Sequence, residues 1–322
     1  MTLQNVCILG GGGFVGHHLA ALLVARGLNV RVPARRRDAV KDLGVLPTLE
    51  IVETDIHDPA SLNALFDGMD AVINLVGLLH ESGSGKGDGP RARRGSFQHA
   101  HVELPRKVVQ ACKDSGVRRL LHMSALGAEA NSRSAYQRSK AAGEALVLQS
   151  GLDVTVFRPS VIFGPGDSFL TLFADLLKLA PVVPLADGNA RFQPVFVGDV
   201  ARAFADALAL PESVGQRYNL CGPKVYTLAE LVRLTAASLG MRRLILPLGP
   251  TRSYWFARLM ELKPGAKIMT RDNHYAMLTD NVCPDGFPAL FGRATALESV
   301  IGYIKEADPR GGYSAYRTHA GR

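Results

Sequence analysis

Residues 6–16 read Val6-Cys7-Ile8-Leu9-Gly10-Gly11-Gly12-Gly13-Phe14-Val15-Gly16. Four apolar residues run into a glycine turn and then directly into a segment of helical spacing, Val15, Leu19, Leu22 and Leu23. Gly27 closes that segment, and Val30 to Val32 begins a second apolar run. Gly10, Gly13 and Gly16 are spaced G-x-x-G-x-x-G. In this setting the first glycine makes a tight turn, the second lets backbone approach a pyrophosphate, and the third lets helix and strand pack closely. The helix offers the anion unpaired N–H groups and a positive dipole end. Glycine patterns also arise in ordinary turns, and the chain holds 33 glycines. The strand before and the helix after carry the reading of a dinucleotide site at Gly10, Gly13, Phe14, Val15 and Gly16.

The second strand, Leu28 to Ala34, delivers Arg35 and Arg36 about twenty residues past the turn, where an acidic residue binds the ribose of NAD. A basic residue there pairs with an adenosine 2′-phosphate, so NADP(H) is favoured. Asp38 lies close enough to reach a ribose hydroxyl and keeps NAD(H) open. A third strand, Leu49 to Glu53, ends in Asp55-Ile56, which either touches the adenine or caps the next helix. That helix, Pro59 to Phe66, has Asp58 as its expected N-cap. The fourth strand, Ala71 to Leu75, is apolar apart from Asn74 and leads into Leu75-Val76-Gly77 at the carboxyl edge, where such sheets bind ligands.

Residues 80–96 are glycine-rich and basic without an apolar period, and read as a surface loop, either a lid or a tolerated insertion. Phe97 to Ser115 then reads as a helix despite Pro105, and Val117 to Ser124 as the fifth strand. Strand and helix alternate throughout, which predicts an α/β fold with a doubly wound parallel sheet and right-handed crossovers. Residues 1–160 form the expected dinucleotide-binding core. Residues 161–310 contribute a late core strand and a smaller substrate lobe, and 311–322 a flexible tail.

Downstream of Ser124 stands Tyr136-Gln-Arg-Ser-Lys140, opening a helix. The i, i+4 spacing puts phenol and ammonium on one helix face, where the cation stabilises a phenolate. Such a tyrosine exchanges a proton with a substrate oxygen while a nicotinamide transfers hydride. Tyr136, Lys140 and Ser124 are therefore the candidate catalytic residues.

The chain resembles the extended, atypical short-chain dehydrogenases/reductases, in particular the group holding the nucleotide-binding accessory subunit of respiratory complex I and its bacterial relatives. The resemblance covers roughly Val6 to Val282. It rests on the glycine turn, Val72-Ile-Asn-Leu-Val-Gly77, Ser124-Ala-Leu-Gly127, Tyr136 to Lys140 with Ala141-Ala-Gly-Glu144, Arg158-Pro-Ser-Val-Ile-Phe-Gly164 and Arg191-Phe-Gln-Pro-Val-Phe-Val-Gly-Asp-Val200. It implies that Pro159 and Val161 line the nicotinamide. Two positions depart from active relatives. The slot of a supporting helix asparagine holds His101, and the place of the catalytic Ser or Thr holds Leu126. Ser132 or Ser134 would have to fold back to replace it. Binding without turnover thus stands beside catalysis.

Later segments read as lobe. Asp199 is expected to cap a helix from Val200 to Leu208, and Thr227 with Glu230 to form a capping box. Ser253 to Leu262 is an aromatic, basic-edged amphipathic stretch, either a lobe helix covering the site or a surface for a membrane or protein partner.

Composition sets the bounds. At 322 residues, 47% hydrophobic and 20% charged, the chain is globular, and it has no apolar run of about 18 residues to span a bilayer. The first strand starts so near Met1 that no signal segment is expected, which points to the cytoplasm, free or peripheral on the inner face of the membrane. Cys7, Cys112, Cys221 and Cys283 lack metal-ligand spacing and read as reduced, packed thiols, with no metal site. The net charge of +8 comes largely from arginine clusters such as Arg118 with Arg119, read as either solvated surface or a face for phosphate-bearing ligands or anionic surfaces, and no nucleic-acid motif accompanies it. The expected ligands and partners are a dinucleotide, an unidentified small-molecule substrate, and either complex I or a membrane surface. The functions in view are a weak reductase or cofactor-stabilised accessory or assembly factor, against an active nucleotide-sugar epimerase/dehydratase or a reductase of a lipid-like or quinone substrate.

Overall fold

The computed structural model describes residues 3–81, 95–262 and 269–306. Most of the basic loop read at 80–96, and the tail beyond Gly311, lie outside the described residues. The chain divides into two units: Met1–Pro159 with Gly198–Leu220 and Pro288–Gly292, and Ser160–Val197 with Cys221–Phe287 and Arg293–Arg322.

The first unit is built on a seven-stranded sheet, parallel in every pairing. Its strands are β1 (Asn5–Leu9), β2 (Asn29–Ala34), β3 (Leu49–Glu53), β4 (Ala71–Asn74), β5 (Arg119–Met123), β6 (Asp153–Pro159) and a late strand, Arg217–Leu220. They lie in the order Arg217–Leu220, β6, β5, β4, β1, β2, β3. The order reverses between β1 and β4, so the crevice beyond their carboxyl ends is the place such a sheet offers a ligand. Both strands are buried from Val6 to Leu9 and from Ala71 to Asn74, as central strands covered on two faces must be.

The connecting helices follow the expected signals. Asp58 accepts from the Ser61 N–H at 2.9 Å ahead of Pro59, capping the Pro59–Phe66 helix. The segment from Phe97 is helical through Asp114, but His99–Glu103 widens into a π-turn. Pro105, which has no N–H to give, lies in the first turn of the α-helix after it. Gly143 on the Ala135–Leu148 helix makes this packing feasible, since a Cβ there would overlap the His101 carbonyl oxygen.

Two arginine clusters, each on a buried group, fasten the later strands. Arg119 is not solvated surface: it is 9% exposed and donates to the Asp153 and Ala207 carbonyls, Thr155 Oγ1 and Ser213 Oγ at 2.7–2.8 Å. Arg119 opens β5, whose residues are buried on both faces, while Arg118 precedes the strand and pairs with Asp153 outside. Glu144, also buried, takes a bidentate pair from Arg158 and a third contact from Arg217 at 2.9 Å. The helix expected to start after Asp199 runs from Val197 to Ala209. Asp199 is therefore not its N-cap but a first-turn carboxylate, buried and paired with Arg202 at 2.8 Å.

The second unit packs the Phe169–Leu179 and Leu228–Ser238 helices around Phe163, Leu170, Leu177, Leu231 and Val232. Thr227 and Glu230 form the expected capping box. Cys221 and Cys283 form a disulfide with Cα atoms 6.0 Å apart, which corrects the reading of four reduced thiols. They are 62 residues apart in sequence, and no local pattern announces the pair. Cys7 and Cys112 are free and buried.

Candidate functional site

The glycine turn has the geometry its spacing requires. Gly10 adopts φ +81°, a region that L side chains avoid, and a Cβ there would press on the Val76 nitrogen at 3.2 Å. The Gly13 N–H donates to the Gly10 carbonyl at 2.9 Å, tightening the turn. Gly13 is also the N-cap of the Phe14–Ala25 helix, with no side chain to satisfy the first-turn N–H groups and no acidic residue in that turn. A Cβ on Gly16 would overlap the Gly10 carbonyl oxygen and lie 2.5 Å from Gly11 Cα. Backbone, uncapped amides and absent side chains form a cradle that fits a pyrophosphate.

Around the cradle, Arg35 stands exposed just past the end of β2, with Asp38 exposed nearby. Asp55 Oδ1 accepts the His57 N–H at 3.1 Å, so the carboxylate caps its own turn, and Ile56 packs on the apolar cluster beside the sheet. The Leu75 N–H extends the ladder to the Leu9 carbonyl at 2.9 Å, and the Val76 N–H donates to Asn74 Oδ1 at 3.1 Å. Gly77 then passes beside Lys140: a Cβ there would stand 2.9 Å from Nζ.

Tyr136 and Lys140 sit on the Ala135–Leu148 helix, whose N-cap is Ser134. Ser132 Oγ donates to Gln137 Oε1 and accepts the Ser134 N–H, so both loop serines serve the helix entry. The Tyr136 ring packs edge-on against Phe97 and His101, at 5.7 and 5.5 Å between centroids. Burial pushes its phenol up to about 12, not down. Burial pulls the Lys140 amine down to about 8, and Nζ donates to the Met123 carbonyl at 3.2 Å. Ser124 is buried, its backbone N–H bonded to Phe157 and its Oγ without a hydrogen-bond partner among the described residues.

His101 has a defined proton arrangement. Its Nε2 accepts the Leu78 N–H at 3.0 Å, so that nitrogen carries no proton. The neutral ring therefore holds its proton on Nδ1 and donates to Ser139 Oγ at 2.8 Å, and Ser139 Oγ donates to the Tyr136 carbonyl at 2.7 Å. Burial, then the Lys140 charge, hold His101 down at about 3. A second buried histidine, His122, lies beside Asn74 at 3.3 Å and is held at about 3 by the same two causes. Sequence reading passed over His122, although a lone imidazole in an apolar strand carries the same signal as Asn74. Pro159 is buried at the end of β6, its carbonyl taking the Leu126 N–H, whereas Val161 belongs to the second unit and packs on that unit's apolar cluster. Among the described residues no group of three His, Cys, Asp or Glu is placed to hold a metal ion.

A sheet that switches order beside an uncapped glycine turn, with a tyrosine and lysine one helical turn apart past its fifth strand, defines a Rossmann-type dinucleotide-binding protein of the short-chain dehydrogenase class. The chain belongs to the NAD dependent epimerase/dehydratase family, whose profile matches residues 6–221. It is 30% identical over 289 residues to "NADH dehydrogenase [ubiquinone] 1 alpha subcomplex subunit 9, mitochondrial" of Mus musculus, covering 88% of this chain and 74% of that one. It is 31% identical over 196 residues to the "Ceramide reductase" of Caulobacter vibrioides, covering 61% and 58%. Among solved structures, it resembles a nucleoside-diphosphate-sugar epimerase from Staphylococcus aureus (TM-score 0.71, 18% identity, 93% and 100% covered). It also resembles DesIV, a dTDP-glucose 4,6-dehydratase from Streptomyces venezuelae with NAD bound (0.68, 21%, 94% and 98%). These two likenesses establish the fold.

Proposed function

We propose that the chain holds NADP(H) as a long-resident ligand and acts as an accessory or assembly factor related to respiratory complex I. The observation that carries this reading is the engagement of the groups around Tyr136. His101 has both ring nitrogens committed to Leu78 and Ser139, so neither is left to relay a proton to Lys140, and Leu126 offers no hydroxyl. The similarity to the mouse protein, whose name places it with an NADH dehydrogenase, supports the partner. Gly10 to Gly16 would hold the pyrophosphate and Arg35 the 2′-phosphate, while Asp55 and Ile56 would flank the adenine and Leu75 to Gly77 and Pro159 the nicotinamide end. Its location on this reading is cytoplasmic, peripheral at the inner face of the membrane. Among the described residues no helix is long and apolar enough to cross a bilayer.

A second reading, reduction of a carbonyl on a lipid-like or quinone substrate, is favoured by the survival of Tyr136 and Lys140 themselves. When bound, the nicotinamide supplies hydride. Tyr136 would then give its proton to the substrate oxygen, and Lys140, in its ammonium form, would favour the phenolate left behind. Releasing and identifying the nucleotide from purified protein, then measuring its exchange with added NADPH and NADH, separates the readings. Retention with slow exchange, unaltered by Tyr136→Phe, supports the accessory role. Rapid exchange with reduction that Tyr136→Phe abolishes overturns it in favour of the enzyme.

A further inference from the structure

The Pro250–Glu261 helix turns only part of its apolar surface inward, with Phe256 half-buried against Ala186, Ala257 and Met269 and Tyr254 packed against His274. Its buried positions are the small residues Ser253 and Ala257, whereas Trp255, Leu259 and the C-cap Leu262 are 58%, 59% and 77% exposed. These three stand at i, i+4 and i+7 and form one stripe. At 3.6 residues per turn the stripe points away from Ser253 and Ala257, with Arg252 on one side and Arg258 on the other. The Arg258 guanidinium lies over the Trp255 ring, 5.2 Å from its centroid. The helix carries one acid, Glu261, and that carboxylate is engaged by Arg271 at 2.9 Å. Its outer face is therefore a narrow apolar strip between two arginines that have no ion-pair partner among the described residues.

We infer that this helix is the protein's membrane contact, lying in the headgroup region of an anionic bilayer with Trp255, Leu259 and Leu262 inserted and Arg252 and Arg258 at the phosphates. Charge complementarity selects the occupant, because arginines on both sides of an apolar strip match a negatively charged lipid surface. Twelve residues cannot span a bilayer, so the helix lies along the surface. The inference deepens the peripheral location proposed above and is independent of the bound nucleotide.

Trp255 is the chain's single tryptophan, so its emission reports on the face itself. The full-length protein is mixed with vesicles of phosphatidylcholine alone or with phosphatidylglycerol, and emission and co-flotation are recorded against salt. Only the anionic vesicles should bind and blue-shift the emission, with loss at high salt. Arg252→Gln and Arg258→Gln should each weaken binding roughly fivefold, and Leu259→Ser with Leu262→Ser by tenfold or more, on the order of 1.4 kcal/mol. All four positions are solvent-facing, and an unchanged melting temperature certifies the fold. Leu244→Ser with Leu246→Ser, on another exposed apolar face, should leave binding intact. Flotation that survives the helix substitutions but fails with Leu244 and Leu246 changed overturns the assignment of the helix and leaves the peripheral location standing. No binding to anionic vesicles overturns both, and a concentration-dependent blue shift without lipid makes a second copy the occupant instead.

Discussion

Gly16→Ala tests whether the glycine turn is a phosphate cradle. The added Cβ would lie 2.5 Å from Gly11 Cα and overlap the Gly10 carbonyl oxygen, and all the atoms it meets are backbone. No side chain can rotate away, so helix and turn must part by roughly 1 Å to reach ordinary contact. Overpacking of that kind costs about 1–3 kcal/mol. The same displacement pulls the first-turn amides off the anion, and each charge-assisted hydrogen bond weakened is worth about 1.5–3 kcal/mol. A loss near 3 kcal/mol, about a hundredfold in affinity, is expected for NADPH and NADH alike. Titration calorimetry on the folded variant measures it. Gly27→Ala is the control: its φ of +82° is unfavourable for alanine, but no neighbour lies within 4 Å, so stability should fall by about 1–2 kcal/mol with affinity unchanged. A folded Gly16→Ala protein that binds nucleotide within threefold of the parent would refute the placement of the pyrophosphate at this turn.

Arg35→Glu should lower NADPH affinity by roughly tenfold or more and leave NADH nearly untouched, because only the 2′-phosphate meets the reversed charge; equal losses for both nucleotides would remove Arg35 from the site. His101 and His122 are held at about 3, well below their unfolded value, so the unfolded chain binds more protons between those limits. Stability is then complete above about pH 6.5 and falls on acidification, by up to roughly 1.4 kcal/mol per pH unit for each histidine. Denaturant midpoints between pH 4 and 7 should show a shallower slope for His122→Gln, and an identical slope would count against the buried neutral imidazole. Cys221→Ser should cost the second unit about 2–4 kcal/mol, and a melting temperature indifferent to both the substitution and dithiothreitol would show that the bond makes no contribution.

The part of the fold legible in the sequence is the part where burial on two faces leaves an unbroken apolar run, as in β1 and β4, and where caps are local, as at Asp58 and Thr227. What escaped is decided by partners distant in sequence. Arg118 and Arg119 look alike as a basic pair, and only where the buried strand begins, with Thr155, Ala207 and Ser213 around Arg119, separates them. The disulfide joins two cysteines with no periodic relation. The amphipathic pattern of residues 253–262 is visible in the sequence, but amphipathicity does not say which apolar residues face inward: Ser253 and Ala257 are buried with Phe256 packed beside them, while Trp255, Leu259 and Leu262 stay outside. Tyr136 and Lys140 were readable as a pair because i, i+4 is a local relation. The arrangement that raises the phenol and commits His101 is not, since it depends on Phe97 and His101 covering the Tyr136 ring and on Leu78 and Ser139 meeting His101 from separate segments.

Arg119 also bears on how the chain can be divided. Its guanidinium sits on the fifth strand, yet two of its four acceptors, Ala207 and Ser213, come from residues roughly ninety positions later. A fragment ending near Pro159 would hold the complete glycine turn but would lack those acceptors and the strand that covers β6. It would present a half-desolvated cation beside an open edge able to pair with other chains. The nucleotide half should therefore not behave as a separable module: truncations short of Leu220 should be recovered as aggregate.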